Sequence, residues 1–342
     1  MTDSSPLDPH ERRRIEDALD RLEERLIDLE FGVHHAWGPA DPEALRASGL
    51  PESAAMFWAR FDGIELAAGE ACVFPLARHA ESQAEAEAEG LLRPGDRVIG
   101  EHGRAIFVLP DDPWAEGGEV VRIDDEGERA PEASSVPHLV LGLLAEMSIV
   151  YDEHGEFRDD VYDEFGEIIP SAVRRLLRKR LDFDADAPRP RRDLARILRE
   201  HGELRASKAE LQQVLRRAPE WAAAHHELGL TLLAADDEAG AHRSFLKAAE
   251  YAIDDEARAY SLAWAASVGA EAARQSAAAQ VLRLRPEFAA HQVAGARARL
   301  ELEDVDGARE MTRLGLAVAP RNLELLALKR ELDRAPDDDA SS

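Results

Sequence analysis

The 342-residue sequence predicts two architectures in series, an α+β domain with an antiparallel sheet and flanking helices, then an all-α helical solenoid. Up to residue 150, helical stretches enclose short alternating apolar segments separated by Gly, Pro and Asp, the order expected of an antiparallel sheet with helices at its ends. Beyond Arg191 that alternation stops, and small residues and prolines recur every thirty-odd residues. Charge divides the chain in the same way. Residues 1–150 carry 32 acidic and 13 basic side chains, 151–190 carry 11 and 7, and 191–342 carry 26 and 22, so most of the net −27 lies in the first half.

The expected domains are residues 1–38, an amphipathic helix and turn; 39–150, the α+β domain; 151–190, a connecting region; 191–335, about four repeats with a capping helix; and 336–342, a disordered acidic tail. In PHERRRIEDALDRLEERLIDLEFG, Ile15, Leu19, Leu22, Leu26 and Leu29 recur on one helical face. After a Pro-Gly-rich turn, LPESAAMFWARFDGIEL reads as a second helix stopped by Gly63. ACVFPL, DRVIGE, RAIFVLP and EVVRIDDEG read as strands, and SSVPHLVLGLLAEM as a closing helix capped by Ser134 or Ser135.

In the connecting region, YDE and GE recur eleven residues apart, from Tyr151 and Tyr162. Gly155 and Gly166 fall outside the frame of an EF-hand loop, so the reading is a pair of acidic turns or a small hairpin without metal. SAVRRLLRKRLDF is a basic, apolar helix better suited to an intramolecular partner than to a membrane, and DADAPRPRRD reads as a proline-bearing linker.

The array is legible in its spacing. Pro219, Pro286 and Pro320 are 67 and 34 residues apart, and Ala195, Gly229, Ala263 and Ala296 are 34, 34 and 33 apart. In the clearest unit, His225 to Ala252, Gly229, Ala241, Phe245 and Ala248 hold the offsets at which two antiparallel helices pack closely, and Ala308 holds such a place in the last unit. The pattern resembles tetratricopeptide (TPR) repeats, although the third and fourth units keep it only in part. NLELLALKRELDRA would cap the open end. A plain helical bundle would have no reason to keep this period.

A second resemblance lies in Leu50, Pro51, Phe57, Trp58, Phe61 and Gly63, which look like the "LP, aromatic, apolar, nG" signature of the SUKH superfamily of fungal cell-wall-synthesis regulators and bacterial immunity proteins. EVVRIDDEGERAPEASSVPHLVLGLL is similar to that family's closing strand, turn and helix, while Asp62 replaces a common asparagine and the AEAEAEG stretch around Glu85 to Glu89 has no counterpart. The resemblance implies binding rather than catalysis, most concretely neutralisation of a toxin.

Functional expectations follow from these features. An acidic first half repels nucleic acid and favours a basic partner, such as a nuclease-like toxin, although acidic surfaces also serve solubility alone. Aligning the units places Arg192, Arg196, Arg199, His226, Tyr260, Trp264 and Arg297 on the inner groove, a composition suited to an acidic or C-terminal peptide. A phosphate loop, a GxSxG elbow and an HExxH pair are all missing from the sequence, and the His34-His35 and His225-His226 pairs lack metal-site spacing, so no enzyme, cofactor or metal is expected. Cys72 reads as a small buried hydrophobe in a reducing compartment. With no apolar run of membrane length and no signal-like start, the expectation is a cytoplasmic protein. A scaffold role is the alternative to immunity, and an uncharacterised enzyme the remote one.

Overall fold

The computed structural model describes residues 7–28, 34–152, 156–164 and 166–334. The expected contribution of Leu29 to the first helix, the middle of the first acidic turn and the 336–342 tail lie outside the described residues. The chain forms two compact units: residues up to Glu200 with Gln212–Glu220, and His201–Leu211 with the residues from Trp221 on.

The first unit is built on a seven-stranded antiparallel meander in simple sequence order: β1 (His35–Ala36), β2 (Ile64–Leu66), β3 (Ala71–Val73), β4 (Arg97–His102), β5 (Ala105–Leu109), β6 (Val120–Ile123) and β7 (Arg129–Ala133). Alternation sends Ile64, Leu66, Val73, Ile99, Phe107 and Leu109 into one apolar layer and Cys72, Phe74, Val98, Val108, Val121 and Ile123 into another. The first layer is shared with α1 (Pro9–Asp28), α3 (Glu52–Trp58) and α6 (Val136–Val150), and α4 (His79–Ala88) packs on β4. Asp8 caps α1 by accepting from the His10 N–H at 2.7 Å. Helix α6 is apolar all round because neighbours cover nearly every side.

Several elements differ from the sequence reading. Part of the Pro-Gly-rich turn is a helix, α2 (Pro42–Ser48), because Asp41 caps the Glu43 and Ala44 amides and Pro42 is preset for a first turn. The AEAEAEG stretch (84–90) supplies the second half of α4, and α5 (Pro113–Glu116) is a single turn. β1, β2 and β7 were too short, or too polar in pattern, to stand out. Ser135 occupies the N-cap of α6, yet its hydroxyl meets the His138 ring at 2.7 Å instead of a backbone amide.

Of the residues in the LP–aromatic–Gly motif, Phe57, Trp58, Phe61 and Gly63 lie in the core of this unit, while Leu50 is half-buried and Pro51 exposed. Phe57 and Trp58 are fully buried, and the Trp58 indole donates to the Phe74 carbonyl at 3.0 Å. Gly63 sits at φ 99°, where an added β-carbon would fall 2.7 Å from the Pro75 nitrogen and 2.8 Å from the Val73 carbonyl oxygen. Asp62 accepts from the Leu76 N–H at 2.9 Å, which ties the two sides of the β2–β3 region together.

Two further helices complete the unit, α7 (Pro170–Phe183) against α6 and α8 (Pro188–Glu200) against α7 and β7. The supposed linker is therefore helical from Pro188. Its prolines stand in the first turn, where no amide partner is lost. A buried charge cluster holds these elements: Glu132 of β7 pairs with Arg180 of α7 and Arg189 of α8, and Arg189 and Arg192 reach Asp193 at 3.4 and 2.6 Å. Burial pushes the Glu132 carboxyl up, but the two guanidiniums outweigh it and hold the group well below the usual range. A second cluster joins Arg129 bidentately to Asp96, at 2.8 and 3.2 Å, and to Glu116 at 3.1 Å.

The second unit is all helix. After α9 (Leu204–Arg217), through which the division between units passes, come α10 (Ala222–Ala234), α11 (Glu238–Glu250), α12 (Asp255–Ser267), α13 (Glu271–Leu284), α14 (Phe288–Glu301), α15 (Val305–Val318) and α16 (Leu323–Leu332). From α8, alternate helices begin at 188, 222, 255, 288 and 323, close to the 34-residue TPR length. Pairs α10–α11, α12–α13 and α14–α15 are packed hairpins, making this region a TPR-type helical array. Aspartates cap two of the second helices, α11 and α15: Asp237 and Asp304 accept from Gly240 and Gly307 amides, each at 2.8 Å. Ala241, Phe245, Ala248, Ala263, Ala296 and Ala308 are fully buried, as is Ala195 on α8 of the first unit, and Gly229 is buried too. The last hairpin departs from simple stacking. Its second helix, α15, makes the main contact with α12 and α13.

Candidate binding surface

Within the second unit, a column of side chains runs across four helices. It begins at Gly229 of α10, where a β-carbon would lie 2.5 Å from the Phe245 ring, so only glycine lets that ring seat fully. Phe245 of α11 stacks on Trp264 of α12 with ring centroids 5.2 Å apart. Arg313 of α15 covers Trp264, its guanidinium carbon 4.2 Å from the ring centroid. Packing glycine and outer cation thus belong to one stack.

Beside it, His226 of α10 stacks on Tyr260 of α12 at 5.5 Å and meets Trp264 edge-on at 5.8 Å. Tyr260 and Trp264 are four residues apart and so share a helix face. The Tyr260 hydroxyl donates to Glu310 of α15 at 2.7 Å, and burial followed by that carboxylate raises its pKa. The Trp264 indole N–H stands near enough to the Tyr260 oxygen to temper the rise, but makes no hydrogen bond of acceptable geometry. Trp264 is only 3% exposed, leaving a buried donor unsatisfied. Burial lowers the pKa of Arg313, against the opposing pull of nearby Glu310, and Arg313 forms no ion pair among the described residues.

Of the residues assigned to the inner groove, His226, Tyr260 and Trp264 come together here. Arg297 is exposed on α14 and pairs with Glu324 at 2.9 Å. Arg192, Arg196 and Arg199 lie on α8 in the first unit; Arg192 pairs with Asp193 and approaches Glu128 at 3.8 Å, Arg199 approaches Glu200 at 3.5 Å, and Arg196 is exposed near Asp193. The Glu132 cluster draws α8 to the sheet, a long-range effect that unit-by-unit alignment does not contain. Glu310 and Arg313 were missed for a related reason. Alignment assigns the inner face to first helices, whereas these residues are on a second helix. The only sequence hint was the weakened motif of the last two units.

His225 stacks on Tyr251, and no group of three or more potential metal-binding side chains occurs among the described residues. Cys72 is buried, and desolvation, followed by Glu101 and Glu65, raises its thiol to about 11. No helix among the described residues is long and apolar enough to cross a membrane.

Comparison with known proteins finds no matching family model and no matching curated protein. Among solved structures, the chain is similar to YrrB, described as a TPR protein with an unusual peptide-binding site; identity is 18%, the TM-score is 0.33, and the match covers 57% of this chain and 91% of that one.

Proposed function

We propose that the chain is a non-enzymatic binding protein whose helical array takes a peptide segment of a protein partner on the His226–Tyr260–Trp264–Arg313 face. The observation that carries this reading is Arg313 held over Trp264 with no ion pair among the described residues, beside an indole donor that makes no well-formed hydrogen bond among them. A carboxylate, from an acidic side chain or a chain terminus, would supply the guanidinium with its counter-charge while an apolar neighbour covers Tyr260. The test is an array of immobilised acidic peptides probed with full-length wild type, Tyr260→Ala and Arg313→Ala. Retention of a peptide subset by wild type and its loss in both variants supports the reading; equal retention by all three removes it.

The first unit supports a second contact. Its concentrated negative charge, together with the packed Phe57, Trp58 and Gly63 core and closing helix α6, favours a SUKH-like immunity role in which it neutralises a basic toxin. Co-expression with a toxin encoded beside the gene should then restore growth. In the scaffold alternative, pull-down of the full chain returns several partners in place of one dominant basic one.

A further inference from the structure

The segment after α6 contains two copies of one small device. In the first, the Asp152 amide donates to the Glu156 carbonyl at 2.9 Å and the Asp152 carboxylate accepts from the Glu156 amide at 3.0 Å; Asp163 and Glu167 repeat both bonds at 2.8 and 2.9 Å. Outside each loop stands one bridge, Tyr151 to Phe157 and Tyr162 to Ile168. Equivalent positions then have different fates. Ile168 packs against a small core containing Ile149, Val161, Ala172 and Leu176, whereas Phe157 is 62% exposed.

Phe157 is held in place all the same. Its ring lies 4.7 Å from Tyr151 and 6.3 Å from Tyr162, and the Tyr151 hydroxyl is fixed by Glu70 at 2.8 Å. The surroundings are anionic: residues 151–169 hold eight acidic side chains and one basic one, Arg158, which is bound to Asp160 at 3.1 and 2.8 Å. Glu156, Asp159, Glu164 and Glu167 are exposed and form no ion pair among the described residues. Burial raises the Tyr151 hydroxyl to about 12, with its bonded partner Glu70 adding to the effect.

We infer that Phe157 and the carboxylates beside it form a docking site for an arginine-bearing basic segment of a protein partner, with a guanidinium lying on the Phe157 ring. A wholly apolar partner would leave the carboxylates without purpose, and an anionic one would be repelled. Arginine fits better than lysine because its weakly hydrated planar group stacks on an aromatic face and still donates sideways to carboxylates. The inference rests on the reading that the first unit meets a basic partner, and deepens it by naming the surface and the side chain it selects.

The experiment uses the full chain and two fluorescent peptides of equal length and charge, one of Arg, Gly and Ser and one of Lys, Gly and Ser, with anisotropy as the readout. Wild type is expected to bind the arginine peptide about tenfold more tightly, the range of a good cation–π contact. Phe157→Ala should bring the arginine peptide to the lysine level, and Phe157→Trp should keep the preference. Equal binding of both peptides by wild type, or a preference that survives Phe157→Ala, overturns the aromatic site while leaving the basic-partner reading in place. If neither peptide binds, both fall together.

Discussion

The two units handle charge in opposite ways. In the first, beside exposed pairs such as Arg158–Asp160, some ion pairs are buried and join residues far apart in sequence, as Glu132 does with Arg180 and Arg189 and Asp96 with Arg129. In the second, pairs such as Lys247–Glu250, Arg258–Asp255 and Arg274–Glu271 are exposed and three residues apart. A buried pair pays heavy desolvation and holds only while every partner is present; an exposed helical pair contributes little. The sheet unit should therefore depend on a few irreplaceable charges, and the helical unit on the shapes of small residues.

Glu132→Gln should have the largest effect, because it leaves two guanidiniums buried without their carboxylate. A loss of about 3–5 kcal/mol is expected, visible as faster amide exchange in β7, α7 and α8 with α10–α13 little changed. Uniform loosening of the whole chain would break the contrast. In the helical unit the corresponding weak point has no charge: Gly229→Ala drives a methyl group into the Phe245 ring. It should cost about 1–3 kcal/mol, measured as reduced protection across α10–α12.

Glu119 sharpens the comparison through pH. It accepts from the Ser53 hydroxyl, and burial raises its carboxyl to about 7. The folded state thus keeps a proton that the unfolded chain releases from about pH 4.5, so stability declines as pH rises through about 7. Glu119→Gln should stabilise the protein by about 1–2 kcal/mol at pH 8 and change little at pH 5, by denaturant titration at both values; an equal effect at both would refute the assignment. Smallest of all, Lys247→Ala should leave the melting temperature unchanged, as expected for an exposed pair.

The same contrast explains what could be read from the sequence. Local rules place the repeat helices and the small residues between them, because Gly229, Ala241, Phe245 and Ala248 act within one hairpin. They also recover the strands β3–β6 and the helices α1, α3, α6 and α7. What escapes them depends on distant partners: the capture of α8 by Glu132, the turn of the last hairpin that brings Glu310 and Arg313 to Tyr260 and Trp264, and the exposure of Phe157 beside a buried Ile168. Of the side chains that meet around Trp264, His226 and Tyr260 could be assigned to one surface from the sequence because they occupy first helices, whereas Glu310 and Arg313 could not.

The most direct measurement is amide hydrogen exchange on the full chain, with and without an acidic peptide retained on the array. Added protection confined to α10, α12 and α15 is the predicted result, and it should disappear in Arg313→Ala. Protection confined to other helices, or unchanged in that variant, would contradict the assignment of this face as the peptide site.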